Sequence, residues 1–71
     1  MLTAVDLRHL APPEPMEVIL DAVATLAPGQ CLRYVLPHHP VPLYPLLQAE
    51  GAVWDCTLSG DGGVVIEIRR P

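Results

Sequence analysis

Apolar side chains occupy every second position along three stretches of the chain, which is the period of a half-buried β-strand. These stretches are residues 30–36, 52–58 and 64–69. The last two are separated by the sequence SGDGG, which is a strong hairpin signal. A shorter apolar run over residues 2–7 predicts a first strand ahead of them. The pattern therefore predicts four strands, the last two joined by a tight turn.

A spacing of three and four residues predicts a helix between the first two strands. Apolar residues recur in this way from Met16 to Ala27. The helix is predicted to begin near Pro13, because a proline in the first turn loses no hydrogen bond and the nearby Glu14 favours the positive end of the helix dipole. Gly29, after Pro28, is predicted to end it.

A second, shorter helix is predicted to carry Leu43, Leu46 and Leu47, and Pro45 must either lie in its first turn or kink it. The resulting order βαβαββ predicts one α/β (α+β) domain over residues 1–71, a two-layer sandwich in which two helices cover one face of a four-stranded mixed sheet. Trp54 is expected to pack inside this sandwich. On the open face of the sheet it would instead anchor a partner protein.

Composition narrows the possible functions. The chain has 71 residues, four arginines, no lysine and eight acids, for a net charge of −4. A negative domain repels a phosphate backbone, so we predict no nucleic-acid partner. No apolar run approaches the roughly 18 residues that cross a bilayer, and the N-terminus lacks a basic leader. We therefore expect a cytoplasmic protein that does not bind membranes.

The two cysteines, Cys31 and Cys56, do not have the spacing of a zinc knuckle or a dithiol redox loop. Each is most simply a small buried hydrophobic residue within a strand. Apolar surroundings would raise the pKa of such a thiol and hide it from a sulfur donor.

Short motifs around the first helix resemble those of the TusA/SirA-like superfamily of small sulfur-carrier proteins. In that superfamily an Asp ends the first strand, Leu-x-Cys-Pro-x-Pro opens the first helix, and Pro-Gly precedes the second strand. The positions that match are Asp6, Leu10, Pro13, Pro15 and Pro28-Gly29. The resemblance implies a sheet of order 1-2-4-3 with strand 4 antiparallel to the others.

The sequence PHHPVPLYPLL resembles an uncharacterised branch of that superfamily, often found beside hemerythrin-like domains, which carries a His-acid-Pro-x-Pro-Leu motif after the second strand. His38, Pro40, Pro42 and Leu43 match the motif, while His39 stands where the branch usually has an acid. The resemblance covers nearly the whole chain.

The cysteine that carries sulfur in that superfamily is absent from this sequence. Pro12 occupies the position of the sulfur-carrier cysteine, and proline has neither a nucleophile nor an ionisable group. In the implied sheet order, strand 4 separates Cys31 from Cys56, so their Cα atoms would lie about 9–10 Å apart, beyond the roughly 7 Å limit for a disulfide. A sulfur-transfer or redox function through Cys31 or Cys56 remains the alternative to a binding function.

If strands 1 and 2 are parallel, the loops that follow them, residues 8–15 and 37–42, emerge at the same edge of the sheet, where ligands of open α/β sheets tend to bind. Such an edge could bind an anion between a guanidinium and the helix N-terminus, or hold a transition metal. Because Pro40 favours an extended His39, the two adjacent imidazoles should diverge and should not both bind one ion. We predict His38 as the metal ligand, because it is the histidine that matches the motif of the branch this sequence resembles. The candidate ligand- or partner-binding residues are Arg8, His9, Glu14, His38 and His39.

We predict from these features a small accessory module that is not an enzyme and that docks on a protein partner or binds a ligand through this loop edge. Metal binding through His38 is a further alternative, and a transition metal is the one cofactor the residues suggest. The identity of the partner and the oligomeric state are left open by the sequence.

Overall fold

The computed structural model describes residues 4–71. Four strands and two helices follow one another in the predicted order, with a short 3₁₀ turn ahead of the second helix. The elements are β1 (Val5–Asp6), α1 (Glu14–Ala24), β2 (Cys31–Leu36), the 3₁₀ turn (Val41–Leu43), α2 (Tyr44–Ala49), β3 (Val53–Leu58) and β4 (Val64–Arg69).

The strands form one mixed sheet of order β1-β2-β4-β3. β1 and β2 are parallel, and β4 is antiparallel to both β2 and β3. β1, β2 and β3 therefore all end at one edge, which we call the carboxyl edge. The edge at which they begin is the amino edge. The predicted α+β fold and its strand order are confirmed.

The core lies between the sheet and the two helices. Along β4, Val64, Ile66 and Ile68 are at most 2% exposed, while the residues between them are more open, as the alternation predicted. Ile19 of α1 and Leu47 of α2 cover them from the helical layer, at 1% and 0% exposed. Complete burial of an aliphatic side chain contributes about 1.5–3 kcal/mol, so each of these residues contributes substantially to the stability of so short a chain.

Two predicted boundaries were wrong. The first strand was predicted over residues 2–7, and the structure has only Val5–Asp6; Leu2 lies outside the part of the chain that the structure describes. α1 ends at Ala24 rather than at Pro28-Gly29. The Thr25 hydroxyl donates to the carbonyl oxygen of Ala22 at 3.2 Å, and a hydroxyl that bonds to the preceding turn favours a helix end.

Trp54 lies on the helix-covered face, because it is paired with the buried Ile68 across the β3–β4 ladder. Its ring stacks on Tyr44, with centroids 5.4 Å apart and planes 11° from parallel. The alternative that Trp54 anchors a partner from the open face is therefore wrong. The open face instead carries two ion pairs, Arg33 with Glu67 and Arg69 with Asp55, as expected for a wet sheet surface.

The amino edge is held together by Arg70. Its guanidinium donates to the carbonyl oxygen of Val23 at 2.9 Å and to that of Glu50 at 2.7 Å, near the ends of α1 and α2. A cation at a helix C-terminus satisfies carbonyls that have no partner within the helix. Gly29, with φ 85°, turns the chain so that its N–H reaches the Arg70 carbonyl at 2.8 Å.

Candidate functional site

The loops after β1 and β2 meet at the carboxyl edge and enclose a cleft of about 230 Å³. One wall is formed by residues 10–19 and the other by residues 36–43. We call this cavity the proline cleft, because half of its lining consists of proline rings: Pro12, Pro13, Pro15, Pro37, Pro40 and Pro42. The predicted proximity of the two loops is therefore observed, and it produces a concave surface.

The floor of the proline cleft belongs to the core, and its rim faces solvent. Ile19, Leu36 and Leu43 are buried beneath it, and Met16 is half-buried in one wall. Most of the prolines on the rim are exposed. The cleft therefore exposes apolar surface to solvent.

Proline chemistry explains why both loops can stay open. A proline has no N–H, so a proline-rich turn leaves few backbone donors that need a partner. The remaining donors are used locally: Glu14 N–H bonds to the Ala11 carbonyl at 3.0 Å, and Leu43 N–H bonds to the Pro40 carbonyl at 2.9 Å. The turns are thus satisfied without filling the space between them.

His38 is the one ionisable side chain among the described residues that line the proline cleft. His9, Glu14 and His39 are exposed and lie outside its lining. The structure therefore brings the two predicted loops together but does not gather the five predicted side chains around one point. Their binding roles stay predictions.

Arg8 is engaged by two carboxylates. Its guanidinium bonds to Asp6, with Nη2 to Oδ2 at 2.8 Å, and also to Asp61 in the β3–β4 hairpin. The hydrogen bond from Arg8 lowers the pKa of Asp6 from 3.8 to about 2. Hydrogen bonds from Ser59 and then from Arg8 likewise hold the pKa of Asp61 well below its usual range. An anion at Arg8 would have to compete with both carboxylates.

The β3–β4 hairpin lies close to Arg8 at Gly63. A Cβ added at Gly63 would lie 2.9 Å from the Leu36 carbonyl oxygen and 3.5 Å from Cδ of Arg8. Only glycine allows so close an approach without a local shift. The sequence SGDGG indicated the turn, but nothing in it showed that Asp61 would pair with an arginine 53 residues earlier.

A second cluster of polar side chains was missed by the sequence analysis. The Tyr44 hydroxyl lies 3.2 Å from Cys56 Sγ and 3.5 Å from His39 Nδ1. Burial, and then the hydrogen bond with Cys56, raises the pKa of Tyr44 to about 12. Tyr44 belongs to no motif, and Cys56 was predicted to lie in the core. The sequence therefore contains no signal for the contact between them.

Both cysteines are free and half-buried, so the prediction that each is a buried hydrophobic residue was only partly right. Cys31 opens β2 at the amino edge and pairs with Arg69 on the open face. Cys56 pairs with Ile66 on the helix-covered face. Neither thiol lines the proline cleft.

Negative charge is concentrated on the outer face of α1. All four arginines pair with carboxylates elsewhere, whereas within residues 4–71 the exposed Glu14, Glu17 and Asp21 form no ion pair. Glu14 and Glu17 lie in the first turn, where the helix dipole favours them. The same turn provides Pro13, Pro15 and Met16 to the cleft, so one of its flanks is acidic.

Residues 4–71 contain no group of three or more His, Cys, Asp or Glu side chains placed to hold a metal ion. No helix in that range is long and apolar enough to cross a membrane.

These features define a small two-layer α/β domain with a proline-lined cleft at the carboxyl edge of its sheet. The chain belongs to the family described as "Uncharacterized conserved protein (DUF2249)", whose model matches residues 4–70. No curated protein and no solved structure matches it.

Proposed function

We propose that this domain is a small non-enzymatic binding module that docks on a protein partner through the proline cleft. The observation that carries the proposal is the cleft itself: two proline-rich loops, distant in sequence, enclose about 230 Å³ of apolar space with one imidazole at its border. Shape and one polar contact suit recognition better than they suit bond-breaking chemistry.

The size of the cleft supports a protein partner over a cofactor. Sites for drug-sized ligands and cofactors usually span about 300–1,000 Å³, whereas a dry cavity of about 150 Å³ already takes a benzene ring. A volume of about 230 Å³ therefore suits one large side chain. A single anchoring side chain in a desolvated pocket is how many protein interfaces obtain most of their affinity.

The lining supports an aromatic side chain as that anchor. Proline rings and aromatic rings are complementary, as in the aromatic grooves that receive proline-rich segments. Here the roles are reversed, because the domain presents the prolines and the partner would supply the ring. His38, exposed at the border, can stack on the ring or form a hydrogen bond with a Tyr or Trp anchor.

The charge next to the cleft supports a basic segment around the anchor. Glu14 and Glu17 have no cationic partner within residues 4–71, so Lys or Arg beside the anchor would meet unpaired carboxylates. Complementary charge at the rim of an interface speeds association and disfavours the wrong partners. We place this interaction in the cytoplasm.

The resemblance to the TusA/SirA-like sulfur carriers fits the same proposal. Pro12, which stands where those proteins carry the reactive cysteine, lines the cleft. In this interpretation the turn keeps its shape and its place on the sheet but serves recognition instead of sulfur transfer.

Three short peptides test the proposal by nitrogen-15 NMR of the full chain: acetyl-Lys-Trp-Lys-amide, acetyl-Glu-Trp-Glu-amide and acetyl-Lys-Ala-Lys-amide. We expect the first to shift amide signals of residues 10–19 and 36–43, with an affinity at least ten-fold above that of the other two. Shifts scattered over the open face, or equal shifts with the alanine peptide, would contradict the proposal.

A matched pair of variants localises the effect. Pro42→Arg places a positive charge on the rim of the cleft, and Pro28→Arg places the same charge in an exposed loop away from the cleft. We expect Pro42→Arg to abolish the shifts and Pro28→Arg to retain them. Equal loss in both variants would mean that bulk charge, and not the cleft, controls peptide binding.

A sulfur-transfer or redox function is the second candidate, and the Tyr44 hydroxyl 3.2 Å from Cys56 Sγ is the observation that favours it. A hydroxyl that donates to sulfur stabilises the thiolate, which is the reactive form. Incubation of the native protein with a persulfide donor, followed by mass spectrometry, tests this candidate. Rapid transfer of sulfur to Cys56 would favour it over the docking module.

A further inference from the structure

Three metal-binding side chain types meet outside the proline cleft. His39 comes from the loop after β2, Tyr44 opens α2, and Cys56 lies in β3. The Tyr44 hydroxyl oxygen is 3.2 Å from Cys56 Sγ and 3.5 Å from His39 Nδ1. A thiol, a phenol and an imidazole from three separate elements therefore converge on one point.

A metal ion bound by the thiol and the imidazole would require their donor atoms to approach one another. With bonds of about 2.3 Å to sulfur and about 2.0–2.1 Å to nitrogen, two ligands of a tetrahedral Zn²⁺ lie roughly 3.5 Å apart. Cys56 Sγ and His39 Nδ1 both lie within 3.5 Å of the same hydroxyl oxygen. The His39 ring is exposed, so it is free to rotate toward the sulfur without disturbing the core.

We propose that Cys56 and His39 bind a thiophilic transition-metal ion, with the Tyr44 hydroxyl between them as the group that orients the thiolate. The ligands are the Cys56 thiolate and the neutral His39 imidazole, and water completes the coordination. This pair is soft enough to prefer ions such as Zn²⁺ over Mg²⁺ or Ca²⁺. The proposal does not depend on the function of the proline cleft.

The surroundings suit this role. The Tyr44 phenol lies 3.2 Å from Cys56 Sγ, where it can donate a hydrogen bond to a metal-bound thiolate. Stacking on Trp54 fixes the phenol ring, with centroids 5.4 Å apart. Cys56 is half-buried and His39 exposed, which leaves a path for the ion. A net charge of −4 also favours a cation.

The chain offers its own probe for a test. Trp54 is its single tryptophan and stacks on Tyr44. Co²⁺ is titrated into the full chain while the near-ultraviolet thiolate-to-metal absorption and the Trp54 fluorescence are recorded, and Zn²⁺ is then added as competitor. We expect one Co²⁺ per chain, a thiolate band, quenching of Trp54, and reversal of both signals by Zn²⁺. Absence of the thiolate band in the unaltered protein overturns the proposal.

The chain also provides matched controls. Cys56→Ser and His39→Ala should each weaken Zn²⁺ binding by at least ten-fold, whereas Cys31→Ser and His38→Ala should leave it within two-fold. Tyr44→Phe, which keeps the stacked ring and removes the hydroxyl, should weaken binding about ten-fold. Loss of binding in His38→Ala but not in His39→Ala would overturn the proposal and assign the metal to the cleft. If Cys56→Ser fails to fold, the exposed His39→Ala decides the question alone.

Discussion

At the amino edge of the sheet, one arginine donates hydrogen bonds to both helices, while at the carboxyl edge two loops present proline rings across an open cleft. The amino edge connects elements by polar contacts of the Arg70 guanidinium, whose two Nη atoms donate hydrogen bonds while its buried Nε has no partner within residues 4–71. At the carboxyl edge Arg8 makes such contacts with Asp6 and Asp61, but the two proline-rich loops around the cleft need few of them, because proline has no N–H to satisfy. The comparison separates an edge that is held by polar contacts from one that leaves an apolar cleft open to solvent.

The largest difference between the edges should appear on removal of Arg70. Arg70→Met keeps much of the aliphatic stem but leaves the Val23 and Glu50 carbonyls without this donor. Since hydrogen bonds to a charged group contribute about 1.5–3 kcal/mol, we expect a loss of about 2–3 kcal/mol in the free energy of unfolding, measured in urea. Arg69→Met, which affects an exposed ion pair on the open face, should cost less than about 1 kcal/mol. Equal costs would show that Arg70 does not organise the amino edge.

A smaller loss is expected in the β3–β4 hairpin at the carboxyl edge, where Gly63 is closely packed. Gly63→Ala places a Cβ 2.9 Å from the Leu36 carbonyl oxygen and close to Arg8, so the hairpin must shift. Overpacking of this kind costs about 1–3 kcal/mol, which urea denaturation measures. Gly60→Ala in the same hairpin meets no atom within 4 Å and should leave stability within about 0.5 kcal/mol. If Gly63→Ala leaves the free energy of unfolding unchanged, the hairpin can shift to accommodate the added Cβ without an energetic cost.

Acid should act on the carboxyl edge through Arg8. Because the pKa of Asp6 is lowered from 3.8 to about 2 in the folded state, its stabilising contribution is present above pH 3.8 and is lost as the pH falls through that interval. Asp61 acts in the same direction. We expect the thermal midpoint of the unaltered protein to fall more steeply below pH 4 than that of Arg8→Gln. Parallel curves would show that these exposed pairs contribute nothing measurable.

The smallest effect on stability is expected in the cleft itself. His38 is exposed at its border, so His38→Ala should change the free energy of unfolding by no more than about 0.5 kcal/mol. The same variant should weaken binding of the Lys-Trp-Lys peptide, because the one polar contact to the anchor is gone. A large loss of stability would instead make His38 part of the structural framework, and the contrast between the two edges would weaken.

Several elements of the fold were predictable because their signals are local. The alternation over 64–69, the hairpin sequence before it and the three- and four-residue spacing after Pro15 each reflect the geometry of a single element. The end of α1 was not predictable in the same way. Thr25 competes with the helix through a hydroxyl contact that a hydrophobic pattern does not contain.

In the candidate sites too, the backbone arrangement was predictable and the side-chain contacts were not. That the loops 8–15 and 37–42 would meet followed from two parallel strands, which the resemblance to a known fold implied. The contacts of individual side chains did not follow. Arg8 pairs with Asp61, 53 positions away, and Tyr44 lies between His39 and Cys56 through contacts that span three elements. Neither set of contacts corresponds to a residue spacing that could be recognised in the sequence.

The amino-acid sequence by itself determined the kinds of elements, their order and the apolar faces that build the core, because burial and backbone preference act over a few neighbouring residues. The tertiary structure decided which polar groups meet: the arginine that connects two helix ends, the guanidinium between two carboxylates, and the hydroxyl between an imidazole and a thiol. Those contacts depend on strand order and register, since a shift of one residue in register moves a side chain to the other face of the sheet.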